Sequence, residues 1–263
     1  MKALITGAAG GMGVAYAKAL AAKGYDLMLS DQYIDKLKNP AAYLKEHFGV
    51  SVELVQVNLA SKNDVAEFAR QVGAKEIDML VHTAGYSESA LFYEESIEDA
   101  LNMMNVHIGA LIELTHAVLP GMLQRRSGTI IAISSLGAFL PAPGSSIYSA
   151  TKSFINTFME ALYMETSAKG ILVQSVCPGL IDTGFHSKEH KTVFNKINWL
   201  NIWMQADDVV SLSLKNLNTT RAIYIPGVKN KVLRIIIALL PKPLLYKLLT
   251  TKMAQDTTPA GSI

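Results

Sequence analysis

Ala3-Leu4-Ile5-Thr6-Gly7-Ala8-Ala9-Gly10-Gly11-Met12-Gly13-Val14-Ala15-Tyr16-Ala17-Lys18-Ala19-Leu20 reads as a short apolar strand, a glycine-rich turn and then helical periodicity. Glycines at 7, 11 and 13 allow a tight turn and let the backbone approach a pyrophosphate with no Cβ in the way. The following helix offers unpaired N–H groups and the positive end of its dipole. A dinucleotide is therefore expected here, although the spacing is Gly-x-x-x-Gly-x-Gly and not the commoner Gly-x-Gly-x-x-Gly.

Downstream of this turn, apolar runs near residues 2 to 6, 26 to 30, 52 to 57, 78 to 82, 128 to 134, 171 to 176 and 222 to 226 alternate with helical patterns. Continuous Val, Ile and Leu mark strands buried on both faces, and the intervening helices supply right-handed crossovers. The expected fold is α/β: a Rossmann-type, doubly wound parallel sheet of seven strands in three α/β/α layers. Ligands of such sheets lie beyond the carboxyl ends of the strands, where Gly7, Asp31, Asn58, Gly85, Ser135 and Pro178 all fall.

Near the middle of the chain, Tyr148-Ser149-Ala150-Thr151-Lys152 sets a phenol and an ammonium four residues apart at the start of a helix, with Ser135 thirteen residues before the tyrosine. The spacing puts both side chains on one face, where the cation can hold the phenol's pKa down. By itself the pair is equally a solvated helical pair. Joined to the glycine turn, it resembles the short-chain dehydrogenase/reductase (SDR) family over about the first 227 residues. Asn105 in Asn105-Val106-His107-Ile108-Gly109, Ser134-Ser135 after the strand Thr129 to Ile133, and Pro178-Gly179-Leu180-Ile181-Asp182-Thr183 fit that pattern in order.

The resemblance implies an oxidoreductase interconverting a secondary alcohol and a ketone. Tyr148 is its general acid/base, Lys152 bonds the nicotinamide ribose, Ser135 holds the substrate oxygen, and Asn105 anchors a water leading from Lys152. An ordinary phenol titrates near 10 and has to come down by about 2 to act as a base near neutrality. Cofactor contacts are expected from Gly7, Gly11, Met12, Gly13, Asp31, Asn58, Leu59, Ala84, Gly85, Tyr148, Lys152, Pro178, Gly179, Ile181 and Thr183. Two positions depart from the family pattern: Asn58 stands where aspartate is usual, and His82-Thr83 where two asparagines often stand. Asn58 keeps a carbonyl acceptor for the adenine amino group, and His82 is read as a structural strand-end histidine.

Asp31, eighteen residues beyond Gly13, closes the second strand where a carboxylate can accept from adenosine ribose hydroxyls. A 2′-phosphate there would meet a like charge, a repulsion of about 4 kcal/mol at roughly 4 Å and an effective dielectric near 20. NAD is therefore expected over NADP.

The bulk properties narrow the remaining classes. A length of 263 residues suits one large domain, and a net charge of +2 with 17% charged residues shows no basic stripe, which argues against nucleic acid. The single cysteine, Cys177, reads as a core residue in a reducing compartment, so a cytoplasmic protein is expected; a homodimer or homotetramer is expected as well. Residues 1 to 227 form the catalytic domain, including an aromatic lid over 184 to 205 that holds both tryptophans. His186-Ser187-Lys188-Glu189-His190 within that lid mimics an inverted zinc-protease motif, but no third ligand accompanies it and no metal is expected. Residues 228 to 254 read as a helical extension and 255 to 263 as a disordered tail. Two prolines and three charges between Arg234 and Lys247 exclude a continuous membrane span. The aliphatic residues of 228 to 249 are expected to bury against the body or a partner subunit, with peripheral membrane contact as the alternative. An apolar alcohol or ketone is the expected substrate, a hydroxysteroid the best guess; a non-catalytic NAD(H)-binding sensor is the competing reading.

Overall fold

Strands such as Leu4-Ile5 and Ile130-Ile131 carry apolar side chains on both faces and have to be covered on both. In the computed structural model, which describes residues 1–88, 90–181, 203–218 and 221–256, this is achieved by seven parallel strands between two layers of helices. The strands are β1 (Lys2–Thr6), β2 (Asp26–Asp31), β3 (Val52–Gln56), β4 (Met79–His82), β5 (Gly128–Ile133), β6 (Ile171–Val176) and β7 (Ile223–Tyr224). Their order is β3-β2-β1-β4-β5-β6-β7, so the chain reverses its winding between β1 and β4. Crossovers diverge at that point and leave a crevice at the carboxyl ends.

The helices are α1 (Gly11–Ala21), α2 (Asp35–Phe48), α3 (Lys62–Gly73), α4 (Ile97–Met104), α5 (Ala110–Arg125), α6 (Ser146–Thr166), α7 (Ala206–Lys215), α8 (Val228–Leu239) and α9 (Lys242–Asp256). One core joins Tyr16 and Leu20 of α1, Leu37 and Leu44 of α2 and Val209 of α7 to Ala3 and Ile5 of β1. The other joins Phe68 of α3, Leu114 of α5 and Met159 of α6 to Leu4 of the same strand. The alternation of β1 between the two cores is the pleat seen in the sequence. The run Ile97–Arg125 has the length and composition of a membrane span, but Leu111, Leu114, Val118 and Met122 of α5 are buried in the second core.

Three features differ from expectation. The last strand is two residues long, because Pro226 has no N–H to donate and Gly227 turns away at φ 82. Between α4 and α5 the helix passes through one π turn, Asn105–Gly109, which shifts the phase of the side chains on either side. The C-terminal segment forms the two expected helices and stays helical to Asp256, but it buries only part of its aliphatics in the body: Leu245 of α9 is buried, whereas Asn230 is the buried residue of α8, and Val232, Ile235 and Leu239 lie exposed. The expected lid and the histidine motif fall outside the described residues, apart from Trp203 to Gln205, where Met204 bridges to Ile181.

Candidate active site

One cavity of about 1170 Å³ runs from the glycine turn across the switch point to α8 and α9. Its first half is a backbone cradle. A Cβ on Gly13 would lie 2.4 Å from the Gly7 carbonyl oxygen, and one on Gly7 would lie 2.6 Å from Ala84 Cα, so only glycine lets turn and β4 loop close together. Gly7, Gly11, Met12 and Gly13 all line this cradle, as do Leu59, Ala84, Gly85, Pro178, Gly179 and Ile181. Thr183 lies outside the described residues. Ala9, Gly10, Tyr86 and Ser87 also line it and were not anticipated, being neighbours of the motif positions with no side-chain signal of their own.

Asp31 sits at the cradle's outer end, its Oδ2 accepting from Ala9 N–H and its Oδ1 from Tyr33 N–H, both at 3.0 Å. Two backbone donors fix the carboxylate in place with lone pairs left for ribose hydroxyls. Lys36 lines the same end, its Nζ 4.4 Å from the centre of the Tyr33 ring. Asn58 lines the cavity, yet its Oδ1 already accepts from Ala60 N–H at 3.0 Å, so the local turn competes for the oxygen expected to meet adenine. The narrow glycine cradle, the carboxylate and the cavity's length together fit a dinucleotide.

At the cavity's midpoint the structure brings Ser135, Tyr148 and Lys152 together. The α6 helix begins at Ser146, so Tyr148 and Lys152 occupy successive turns of one face. Ser135 Oγ accepts from Gly137 N–H at 3.0 Å, and both Ser135 and Tyr148 line the cavity. Lys152 is buried, its Nζ donating to the Ile133 carbonyl at 2.9 Å and standing 5.6 Å from the centre of the Tyr148 ring. Burial disfavours the ammonium and lowers its pKa to about 8. Burial also raises the Tyr148 pKa, with the Ser135 hydrogen bond pulling the other way. In the protein by itself desolvation thus sets the direction of the Tyr148 shift, opposite to the lowering expected from the sequence.

Asn105 is not brought to this cluster. The first residue of the π turn, it donates from its amide to the Ala60 carbonyl at 3.1 Å and is not among the residues that line the cavity. His107 takes the inward position instead, fully buried and edge-on to the Tyr148 ring with centroids 5.9 Å apart. Its Nε2 accepts from Tyr86 N–H at 3.0 Å, so the proton must sit on Nδ1, which donates to Thr151 Oγ1 at 2.9 Å. Thr151 in turn donates to the Tyr148 carbonyl at 2.8 Å. His82 takes the opposite tautomer: Nε2–H donates to the Val106 carbonyl at 3.1 Å and Nδ1 accepts from Thr6 at 2.9 Å. Burial first, then the Lys152 charge, lowers the His82 pKa to about 3 and holds His107 well below its ordinary value, so both rings are neutral. Thr83 completes the frame by donating to the Thr6 carbonyl at 2.6 Å. His82 is therefore structural, while His107, which the sequence reading did not single out, owes its place to the π turn and to its partners Tyr86 and Thr151.

Fold and cluster together define an oxidoreductase, and the chain belongs to the short chain dehydrogenase family, whose pattern it matches over residues 1–193. Among its relatives is the very-long-chain 3-oxoacyl-CoA reductase of Anas platyrhynchos, 36% identical over 199 residues, covering 74% of this chain and 64% of that protein. The chain thus spans less than two thirds of that relative's length. An uncharacterized oxidoreductase of Bacillus subtilis (strain 168), YmfI, is 34% identical over 185 residues, covering 69% of this chain and 75% of its own. Among solved structures, a short-chain dehydrogenase from Sphingobium yanoikuyae in complex with NADPH superposes with a TM-score of 0.78 at 27% identity, covering 100% of this chain and 98% of that one.

Two predictions test the cluster. Lys152→Met should raise the melting temperature of the cofactor-free protein at pH 7, since it removes a buried charge while keeping the length of the side chain. Because the folded pKa lies below the unfolded one, wild-type stability should climb as pH rises from about 8 towards the unfolded lysine value of roughly 10.4, and the two proteins should converge there. A melting curve series in which the wild type loses stability over that window would show the sign to be wrong. His107→Ala should cost about 1–3 kcal/mol by orphaning Tyr86 N–H and loosening the Thr151 clamp, with turnover reduced more than the KM is raised; steady-state kinetics beside thermal melts read both.

Proposed function

We propose that the protein reduces a ketone to a secondary alcohol on an apolar, chain-like substrate, using NADH. The observation that carries this reading is the junction within one cavity: a dinucleotide cradle ends at Ser135, Tyr148 and Lys152, and beyond them the walls are Leu136, Leu140, Leu180, Leu233, Ile237 and Leu249. A flat polar substrate would leave those walls unmatched, whereas an aliphatic chain buries against them.

When bound, a reduced nicotinamide supplies the hydride to the carbonyl carbon. Ser135 donates to the carbonyl oxygen and Tyr148 delivers its phenolic proton to the same oxygen as charge develops there. A phenol held protonated by burial is the correct starting form for this direction. The buried Lys152 ammonium stabilises the phenolate left behind and is placed to bond the nicotinamide ribose, while His107, through Thr151, holds the turn that carries both.

A 3-oxoacyl thioester with a long chain fits this reading better than the hydroxysteroid first expected, because relatives 36% identical to the matched part of the chain bear the name of such a reductase. A homo-oligomer accords with the exposed Ile97, Leu101 and Met104 on α4, which offer a face for a second copy. Activity should be measured with NADH against 3-oxoacyl thioesters of increasing chain length and a panel of ketosteroids. Efficiency should rise at least tenfold from short to long chains; a flat profile, or preference for steroids, would sink the substrate assignment. Tyr148→Phe should lower turnover by several decades with NAD affinity nearly unchanged, and turnover within tenfold of wild type would rule out the proton donor. No turnover with any panel member would favour the NAD(H)-binding sensor.

Cofactor choice rests on Asp31. Wild type should prefer NADH over NADPH by about a hundredfold in catalytic efficiency, the scale set by screened repulsion of a 2′-phosphate. Asp31→Ala removes the repulsion and leaves Lys36 to attract the phosphate, so the preference should invert or vanish, and adding Lys36→Ala should weaken NADPH again. A wild type that favours NADPH would show that Lys36 outweighs the carboxylate.

A further inference from the structure

The α8 helix is apolar on two sides. Its inner side, Leu233 and Ile237, walls the cavity on the substrate side, and Arg234 lies 5.0 Å over the Phe139 ring in the turn that follows Ser135. On its outer side, Val228, Val232, Ile235 and Leu239 recur at spacings of four, three and four residues and form one stripe. Val228 is 76% exposed and Leu239 78%, which shows that the body does not cover this stripe. The next helix repeats the arrangement: Leu245 is buried and Leu249 lines the cavity, while Leu244 and Leu248, one turn apart, lie exposed.

Charge decides what such a surface can meet. From Val228 to Gln255 the chain holds six Lys and Arg residues and no Asp or Glu, against a net charge of +2 for the whole protein. A two-fold dimer through this face would bring the same basic patch against itself. An anionic bilayer supplies the opposite sign and accepts the apolar stripe beneath its headgroups, with basic side chains at the phosphate level.

We propose that α8 and α9 dock the protein on an anionic membrane surface, setting the substrate-side wall of its cavity against the bilayer. A lipid-like substrate would then pass from the acyl region into the cavity beneath the same two helices without crossing water. The docking claim stands on exposure and charge and does not depend on the identity of the substrate.

Full-length protein should be sedimented with phosphatidylcholine vesicles and with mixed phosphatidylcholine and phosphatidylserine vesicles, while its oligomeric state is followed without lipid. It should partition onto the mixed vesicles at least tenfold more than onto pure phosphatidylcholine. The triple substitution Val232→Ser, Ile235→Ser, Leu239→Ser, at exposed sites outside the cavity, should abolish that binding with the melting temperature unchanged. Lys231→Gln with Lys242→Gln, which leaves Arg234 on the Phe139 ring, should reduce the preference for phosphatidylserine at least threefold. Wild type remaining in the supernatant with mixed vesicles, or a triple variant that binds as well as wild type, would overturn the proposal. So would a lipid-free oligomer that the triple substitution dissolves, since a second copy would then be what covers the face.

Discussion

A single buried ammonium constrains the rest of the site. Lys152 lies under the switch point with the Ile133 carbonyl as its hydrogen-bond acceptor and no carboxylate among the described hydrogen bonds it makes. A charge so placed survives only where nearby titratable groups avoid adding positive charge. His82 and His107 are accordingly neutral, and burial raises the Cys177 pKa to about 11, which keeps it a thiol whose Sγ donates to Asn156 at 3.2 Å. The stability given up at this point is the usual condition of a site that has to move a proton.

The neutral groups around it form a continuous frame. Thr6 at the end of β1, His82 and Thr83 at the end of β4, the π turn before α5 and Thr151 on α6 are linked by hydrogen bonds between 2.6 and 3.1 Å. Two of them join the ends of β1 and β4, one joins β4 to the π turn and one the π turn to α6, which ties the glycine cradle to the helix that carries the phenol. That coupling is how an enzyme keeps reacting atoms in attack geometry across elements far apart in sequence. The opposite tautomers of the two histidines follow from it, since one faces a carbonyl and the other a backbone N–H.

Beyond the frame, the chemistry meets a surface of another kind. The catalytic cluster is built from the sheet and α6, while the far wall of its cavity comes from two C-terminal helices that expose a second apolar face. A wall of this type tolerates a variable chain, because it offers area in place of directed hydrogen bonds. The polar cluster and the apolar wall thus come from separate parts of the molecule.

The fold was legible from Ala3 to Leu20 onwards because doubly buried parallel strands leave continuous apolar runs and a dinucleotide turn requires glycine, both local constraints written into residue type. Six of the seven strands match within a residue of their expected bounds, and the seventh shortened only where Pro226 ends its pairing. Ser135, Tyr148, Lys152 and Asp31 could be placed because strand ends and helical spacing fix them by counting. What counting could not reach was decided by contacts across the fold. The π turn rotates Asn105 towards Ala60 and His107 towards Lys152. Burial raises a phenol that a neighbouring cation alone would lower. The stripe of α8 left outside the body depends on which side of that helix the substrate cavity claims, and an amphipathic pattern apolar on both sides does not say which.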